Sequence, residues 1–319
     1  MTLSLWSLCV ALFASLSLAS ATDSVSFEKM PKNRLEIRIG SQTLAVLNHG
    51  PNWKKPFLFP LYSSSGKNVL RDIVPTKAEQ GTTEQGTDHF HHKGVWVSVD
   101  SVNGKRLDHW HERNKVVCDS VTYKVHDGGL GQVVLKNRWL RGQDTVLNET
   151  TTIIIRPDRL LTYQIQLSAK SKDVTIYDTK EGFFAVRVAH SLRQMQGGHI
   201  ENADGMVGEK QTWGKPSRWV DYWGNIDDAT CGVALMDHPD NFRPSGYHVR
   251  AYGLFGVSPF GPKKYSKGKQ PADPVTISTD GKPLTLTYGL YVHDGKTSEA
   301  GVAEKYQQFV SKVAESLFR

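Results

Sequence analysis

Apolar and polar residues alternate in short runs along most of this chain. Leu35, Ile37 and Ile39 are interleaved with charged residues before Gly40-Ser41 turns the chain. Val133–Leu140, Thr151–Ile155, Leu161–Leu167 and Leu284–Tyr291 read as further strands, the last two with regular alternation. A period of two places one face of each strand in a core and the other against a second layer or solvent. Turn-forming clusters such as His126-Asp127-Gly128-Gly129 and Asp280-Gly281-Lys282-Pro283 separate the runs. One segment follows a helical period instead. Over 298–317, Val302, Tyr306, Phe309, Val313 and Leu317 share a stripe, which predicts an amphipathic C-terminal helix packed outside the sheets. With no internal repeat and no long linker, the pattern predicts an all-β fold. The expected form is one large antiparallel β-sandwich over residues 22–319.

The first 21 residues stand apart. Leu3–Leu18 is apolar, and Ala19-Ser20-Ala21 has the small-x-small form of a leader cleavage site. The expectation is a signal peptide over 1–21 and an extracytoplasmic protein, periplasmic or secreted. No later run approaches the roughly 18 apolar residues of a spanning helix, so stable membrane insertion is not expected. The formal charge is +7. Its short pairs, Lys54-Lys55 and Lys263-Lys264, make no stripe that would track nucleic acid. Acidic glycans, a negatively charged envelope or plain solvation would all suit this excess. Beyond the leader, Cys118 and Cys231 are two thiols that export would allow to pair.

Titratable groups gather in five places. Asp88-His89-Phe90-His91-His92-Lys93-Gly94 puts three imidazoles beside a carboxylate. On an extended backbone His89 and His91 would share a face and His92 would oppose them, a pair able to bind a metal or to exchange protons near neutral pH. Asp108-His109-Trp110-His111-Glu112 repeats the H-x-H pattern, either as a solvated loop or with Glu112 as a ligand. In Asp178-Thr179-Lys180-Glu181-Gly182 a lysine can hold one carboxylate ionised while the other moves a proton. Trp213, Trp219, Tyr222 and Trp223, close to Lys215, Arg218 and Asp221, suit a sugar-stacking platform or a packed core. The fifth group is His238, before a proline, with His248 and Arg250 alternating on one strand face. No nucleophile elbow, phosphate loop, dinucleotide fingerprint or H-E-x-x-H is present, which argues against serine hydrolase, nucleotidase and zincin chemistry.

Taken in order, DHFHHKG, DTKEGFFAVRVA, ENADG with WGKPSRWVDYWG, MDHPDNFRP and YHVRAYGLFGVSPFG resemble a bacterial domain-of-unknown-function family labelled PmoA-like, or methane oxygenase. The resemblance runs from about Arg34 to Val292. Phe90 stands where Pro is common, Lys93 for Arg, Tyr247 for Trp and Ser258 for Asn. None of these departures removes a titratable group. The label does not describe the reaction, because the methane oxygenase subunit of that name spans the membrane several times. The resemblance implies a supersandwich similar to the galactose-mutarotase-like folds, which often act on carbohydrates.

Three functions follow. The leading expectation is a secreted carbohydrate-active enzyme: an epimerase, lyase or glycoside hydrolase. His91 and His248 are its acid and base candidates, and Glu181 or Asp178 the carboxylate partner. His89, His92, Lys180, His238 and Arg250 would orient the substrate, and Trp213, Trp219 and Tyr222 would stack on it. The second is a metal-dependent enzyme in which His89 and His91 hold a divalent ion with Glu181 and His238 or His248. The third is a carbohydrate-binding module without turnover.

Overall fold

The computed structural model describes residues 23–74, 88–104 and 107–311. The expected leader and the end of the C-terminal stripe, Val313 and Leu317, lie outside these residues. The first sheet begins with β1 (Val25–Met30), β2 (Arg34–Ile39), β3 (Gln42–Asn48), β4 (Phe57–Leu61) and β5 (Val95–Val97). The second is fed by β6 (Val116–Val125), β7 (Gly131–Arg141), β8 (Asp144–Ile155) and β9 (Leu160–Ala169). Strand β10 (Val174–Ile176) leads to β11 (Phe184–Arg187), which returns to the first sheet. Next come β12 (His199–Asn202), β13 (Trp219–Ile226) and β14 (Ala229–Asp237) in the second sheet, then β15 (Gly246–Val249) and β16 (Leu254–Ser258) in the first. The last two are β17 (Val275–Ile277), paired with β10, and β18 (Leu284–Asp294). Among the described residues, three short α-helices, α1 (Gly208–Thr212), α2 (Pro262–Tyr265) and α3 (Val302–Phe309), complete the set.

Both large sheets have eight strands and pair antiparallel throughout, in the orders β1-β2-β3-β4-β5-β11-β16-β15 and β12-β13-β14-β18-β9-β8-β7-β6. This is the sandwich that the alternation predicts. Leu35, Ile37, Ile39, Leu161, Tyr163, Ile165, Leu167, Leu286, Tyr288 and Leu290 all point into one core between the sheets. Fully burying each such side chain contributes roughly 1.5–3 kcal/mol. Helix α3 lays Val302, Tyr306 and Phe309 on the outer face of the second sheet, against Leu160, Trp219, Ala234, Met236 and Tyr291. It begins at Val302 rather than 298, because Gly301 takes a left-handed φ of 61° and ends the preceding turn. Among the described residues, no helix is long and apolar enough to cross a membrane.

The cysteine pairing is corrected. Both thiols are free. Cys118 is on β6 and Cys231 on β14, five strand steps apart in the same sheet. At about 4.8 Å per step they are separated by about 24 Å along the sheet, well beyond the span of a disulfide.

Candidate active site on the outer face of the first sheet

Pairing runs Phe57–Trp96–Ala185–Gly256–His248 straight across β4, β5, β11, β16 and β15. The neighbours Val95, Phe184, Val257, Tyr247 and Val249 face the core, so this row faces outward. Segments 88–93 and 108–112 fold over it. Trp110 packs on Trp96 with ring centroids 5.2 Å apart.

Segment 88–93 is a turn, which corrects the extended reading. His89 takes a left-handed φ of 51°, and the His92 N–H donates to its carbonyl at 2.9 Å. All three imidazoles therefore come together instead of dividing between faces. His89 stacks on His92 at 4.8 Å, and His91 meets His92 edge-on at 4.4 Å. Four cations hold the turn, largely through its backbone. Arg71 donates to the carbonyls of Asp88, His89 and His92. Lys55 donates to the His91 carbonyl at 2.8 Å and Lys93 to the Phe90 carbonyl at 2.9 Å. Arg187 pairs with the Asp88 carboxylate at 2.7 Å and donates to His92 Nδ1 at 3.2 Å. Burial leaves His92 neutral, its pKa well below the ordinary value, as an acceptor for that guanidinium requires.

The second H-x-H cluster is also a turn. Glu112 has a φ of 61°, and its N–H donates to the His109 carbonyl. His109 turns inward, packs on Trp139 at 4.8 Å and meets the Leu140 carbonyl through Nε2 at 3.1 Å. Glu112 is neither solvated nor a metal ligand. It is buried between Lys55 at 3.0 Å and Lys93 at 2.7 Å. His111 faces outward, its ring 4.8 Å from that of His91. The tether for this segment is the His109 N–H, which donates to Val99 O just past β5. Asp100 N–H donates in turn to the Glu181 carbonyl, continuing the β5–β11 ladder to the carboxylate.

The imidazoles of the site are biased in opposite directions. His111 donates from its ring to Asp108 at 2.9 Å, and this bond, with Asp108, Glu181 and Asp100 nearby, raises its pKa despite partial burial. His248 is pushed down to about 4 by burial, only partly offset by Glu181, whose Oε2 lies 3.7 Å from Nδ1. His91 is pushed down to about 2 by burial and by Lys55, His111, His89 and Lys93. Burial raises the Glu181 carboxyl, but the protonated form of His248, the adjoining Lys180 ammonium and His111 more than offset it and bring it below the ordinary carboxylate value. Asp100 is raised, first by burial and then by the nearby Asp108 and Glu181 carboxylates. Tyr252 stacks on His89 at 5.1 Å and lies under the Arg187 guanidinium at 4.7 Å. Trp213 meets His248 edge-on at 6.4 Å.

Thus His89, His91, His92, Lys180, Glu181, Trp213 and His248 share this face. Arg250 lies at its border, paired with Glu209 at 2.9 Å. Four other sequence candidates have different duties. Asp178 accepts from the Lys263 and Lys264 N–H groups at 2.8 and 3.0 Å, satisfying donors at the start of α2. Trp219 is covered by α3. Tyr222 is wholly buried, its hydroxyl bonded to the Gln194 N–H and the Arg250 and Ala251 carbonyls. His238 packs edge-on against Phe309 on the far sheet. Asp178→Ala is expected to lower stability by about 1 kcal/mol, the worth of a capping side chain, as measured by urea unfolding. An unchanged midpoint would contradict the capping role.

Sequence reasoning missed His111 as a member of the site, with its partner Asp108, and also Tyr252 and Arg187. The second H-x-H was the available signal for His111, whereas nothing marked Arg187 within a strand. Among the described residues, no three His, Cys, Asp or Glu side chains are arranged to hold a metal ion. The His89 and His91 rings stand 5.7 Å apart at a steep angle, and the Nδ1 atom of His89 is engaged by Asp88.

The fold resembles, at 8% identity, a GH36 α-galactosidase from Geobacillus stearothermophilus (TM-score 0.43, covering 87% of this chain and 42% of that one). It also resembles an α-galactosidase from Lactobacillus brevis (8% identity, TM-score 0.45, covering 88% and 40%). A galactose 1-epimerase from Lactobacillus acidophilus matches over its whole length (9% identity, TM-score 0.39, covering 86% of this chain and 100% of that one). The chain spans about two fifths of the length of the α-galactosidases it matches. At these identities and scores no residue role transfers from any of them. No curated protein matches the sequence. A family model does match, over residues 34–307, and the chain therefore belongs to DUF6807, a family of unknown function.

Proposed function

We propose that this chain is a carbohydrate-active enzyme that moves protons at a sugar carbon or a sugar oxygen. The observation that supports this most is the charge division around Glu181. One imidazole, His111, is biased toward its protonated form by Asp108, and another, His248, is held neutral by burial. Two titratable groups pushed apart in one site supply an acid and a base at the same pH. In this reading His248 is the base and His111 the acid. Glu181 stabilises the imidazolium formed at His248, and Lys180 keeps Glu181 ionised. His91, pushed down to about 2 by burial and by the cations around it, carries no proton to donate and serves instead in the packing beneath His111. The aromatic faces of Trp213 and Tyr252, beside charged hydrogen-bonding groups, suit a ring with apolar C–H faces and polar hydroxyls.

The test is a panel of reducing sugars and oligosaccharides in deuterated water, followed by proton NMR. Exchange at a sugar carbon, a new anomer or a cleaved bond supports the proposal. Binding without any of these changes would favour the module without turnover. Export completes the proposal. Protein recovered from the producing cell's envelope is expected to begin at Thr22, and an intact Met1 there would remove the secreted part of the reading.

A further inference from the structure

A groove of about 750 Å³ opens beside this site, a volume typical of small-ligand pockets. It lies on the same sheet face. Gly246 and Ser258 line it, each two residues along its strand from His248 and Gly256, and they pair with each other in the register. Two residues of strand span roughly 7 Å, so the groove directly adjoins the site. Trp213 and Tyr265 form the wall shared by groove and site. Trp213 meets His248 on one side and lies under the Lys267 ammonium, at 5.7 Å, on the other. The Tyr265 hydroxyl donates to the Lys180 carbonyl at 3.1 Å.

The lining is strongly one-signed. Lys210, Lys215, Arg243, Lys267 and Lys269 face the groove with a single carboxylate, Asp273. Arg243 already neutralises Asp273 at 2.6 Å. Among the described residues, no carboxylate pairs with any of the four lysines. Unpaired ammonium groups around a concave surface concentrate anions there. We infer that this groove binds the anionic end of an oligosaccharide, a sugar bearing carboxylate or sulfate groups, and feeds the adjoining ring to His248 and Glu181. The inference rests on the carbohydrate reading above and names its substrate class. Trp213 stacks on the ring at the junction, and the lysines take the acidic substituents.

The experiment is calorimetric binding by the full chain to three oligosaccharides of matched length: an oligouronate, a sulfated oligomer and a neutral one. At least one anionic oligomer is expected to bind roughly tenfold tighter than the neutral one. That preference should shrink as salt rises from about 50 mM to about 500 mM. Whichever anionic arm binds identifies the acidic group. The double variant Lys215→Ala/Lys269→Ala removes two exposed side chains and should weaken that binding at least about fivefold, with its unfolding midpoint unchanged. Equal affinity for all three oligomers, or an unaffected double variant, overturns the inference. Anionic binding that depends on the lysines but yields no turnover leaves the groove standing and removes the catalytic proposal instead.

Discussion

Glu181→Gln should lower turnover of the responsive sugar by about two to four orders of magnitude while leaving the fold intact, the usual range for loss of an acid–base group. Glutamine keeps the shape but removes the charge that stabilises a protonated His248 3.7 Å away. His248→Ala should fall in the same range, and the double variant should lose little more, because the two act as a unit. The pH profile provides a second readout. The base must be neutral, so activity rises as His248 loses its proton near pH 4. The acid must be protonated, so activity falls as His111 titrates above the ordinary 6.5. The result is a bell whose upper limb moves down toward 6.5 in Asp108→Asn, which removes the partner that raises His111. If Glu181→Gln retains full turnover, or if the upper limb ignores Asp108, these acid–base roles fail.

Glu112→Gln should cost about 3–5 kcal/mol of folding stability, the range for removing one member of a buried ion pair. Among the described residues, this carboxylate is the ion-pair partner of two buried ammonium groups, and the same lysines hold the histidine turn through the carbonyls of Phe90 and His91. The loss should depend on pH. Burial already pushes Lys55 down to about 8, with Glu112 opposing that shift. Without Glu112 the folded-state pKa falls further, while the unfolded lysine stays near 10.5. Where the unfolded state binds more protons, stability rises with pH. At about pH 9 the folded lysine is largely neutral in both proteins, so the penalty shrinks; at about pH 6 it is felt in full. Urea unfolding at the two pH values would show this. A loss below about 1 kcal/mol at the lower pH would mean that the lysines have other compensation.

The β framework is readable because alternation is a local signal. Leu35 to Ile39, Leu161 to Leu167 and Leu284 to Tyr291 correspond to β2, β9 and β18, and the alternating apolar positions Leu35, Ile37, Ile39, Leu161, Ile165, Leu167, Leu286 and Leu290 reach the core. The convergence of His91, Glu181 and His248 on one face depends on strand order, which no local pattern encodes. The errors have physical causes. The runs around His89 and Glu112 carry no apolar period, so nothing in them signals that left-handed residues close turns there. Residue type also does not separate an exposed aromatic from a buried one: Trp213 lines the groove while Trp219 and Tyr222 are buried in packing. The lysine partners of Glu112 lie 57 and 19 residues away, beyond any spacing rule.

The cations that hold the histidine turn bind mainly to carbonyl oxygens, and every amino acid carries one. The side chain at position 90 can therefore change without releasing the anchors, which grip its backbone carbonyl and those of Asp88, His89, His91 and His92. Phe90 is free to change while the imidazoles on either side of it stay in place. Arg71, Lys55 and Lys93 have no such latitude, since a single loss would unseat several positions at once. Directed evolution of this protein would best randomise position 90 and leave Arg71, Lys55 and Lys93 untouched.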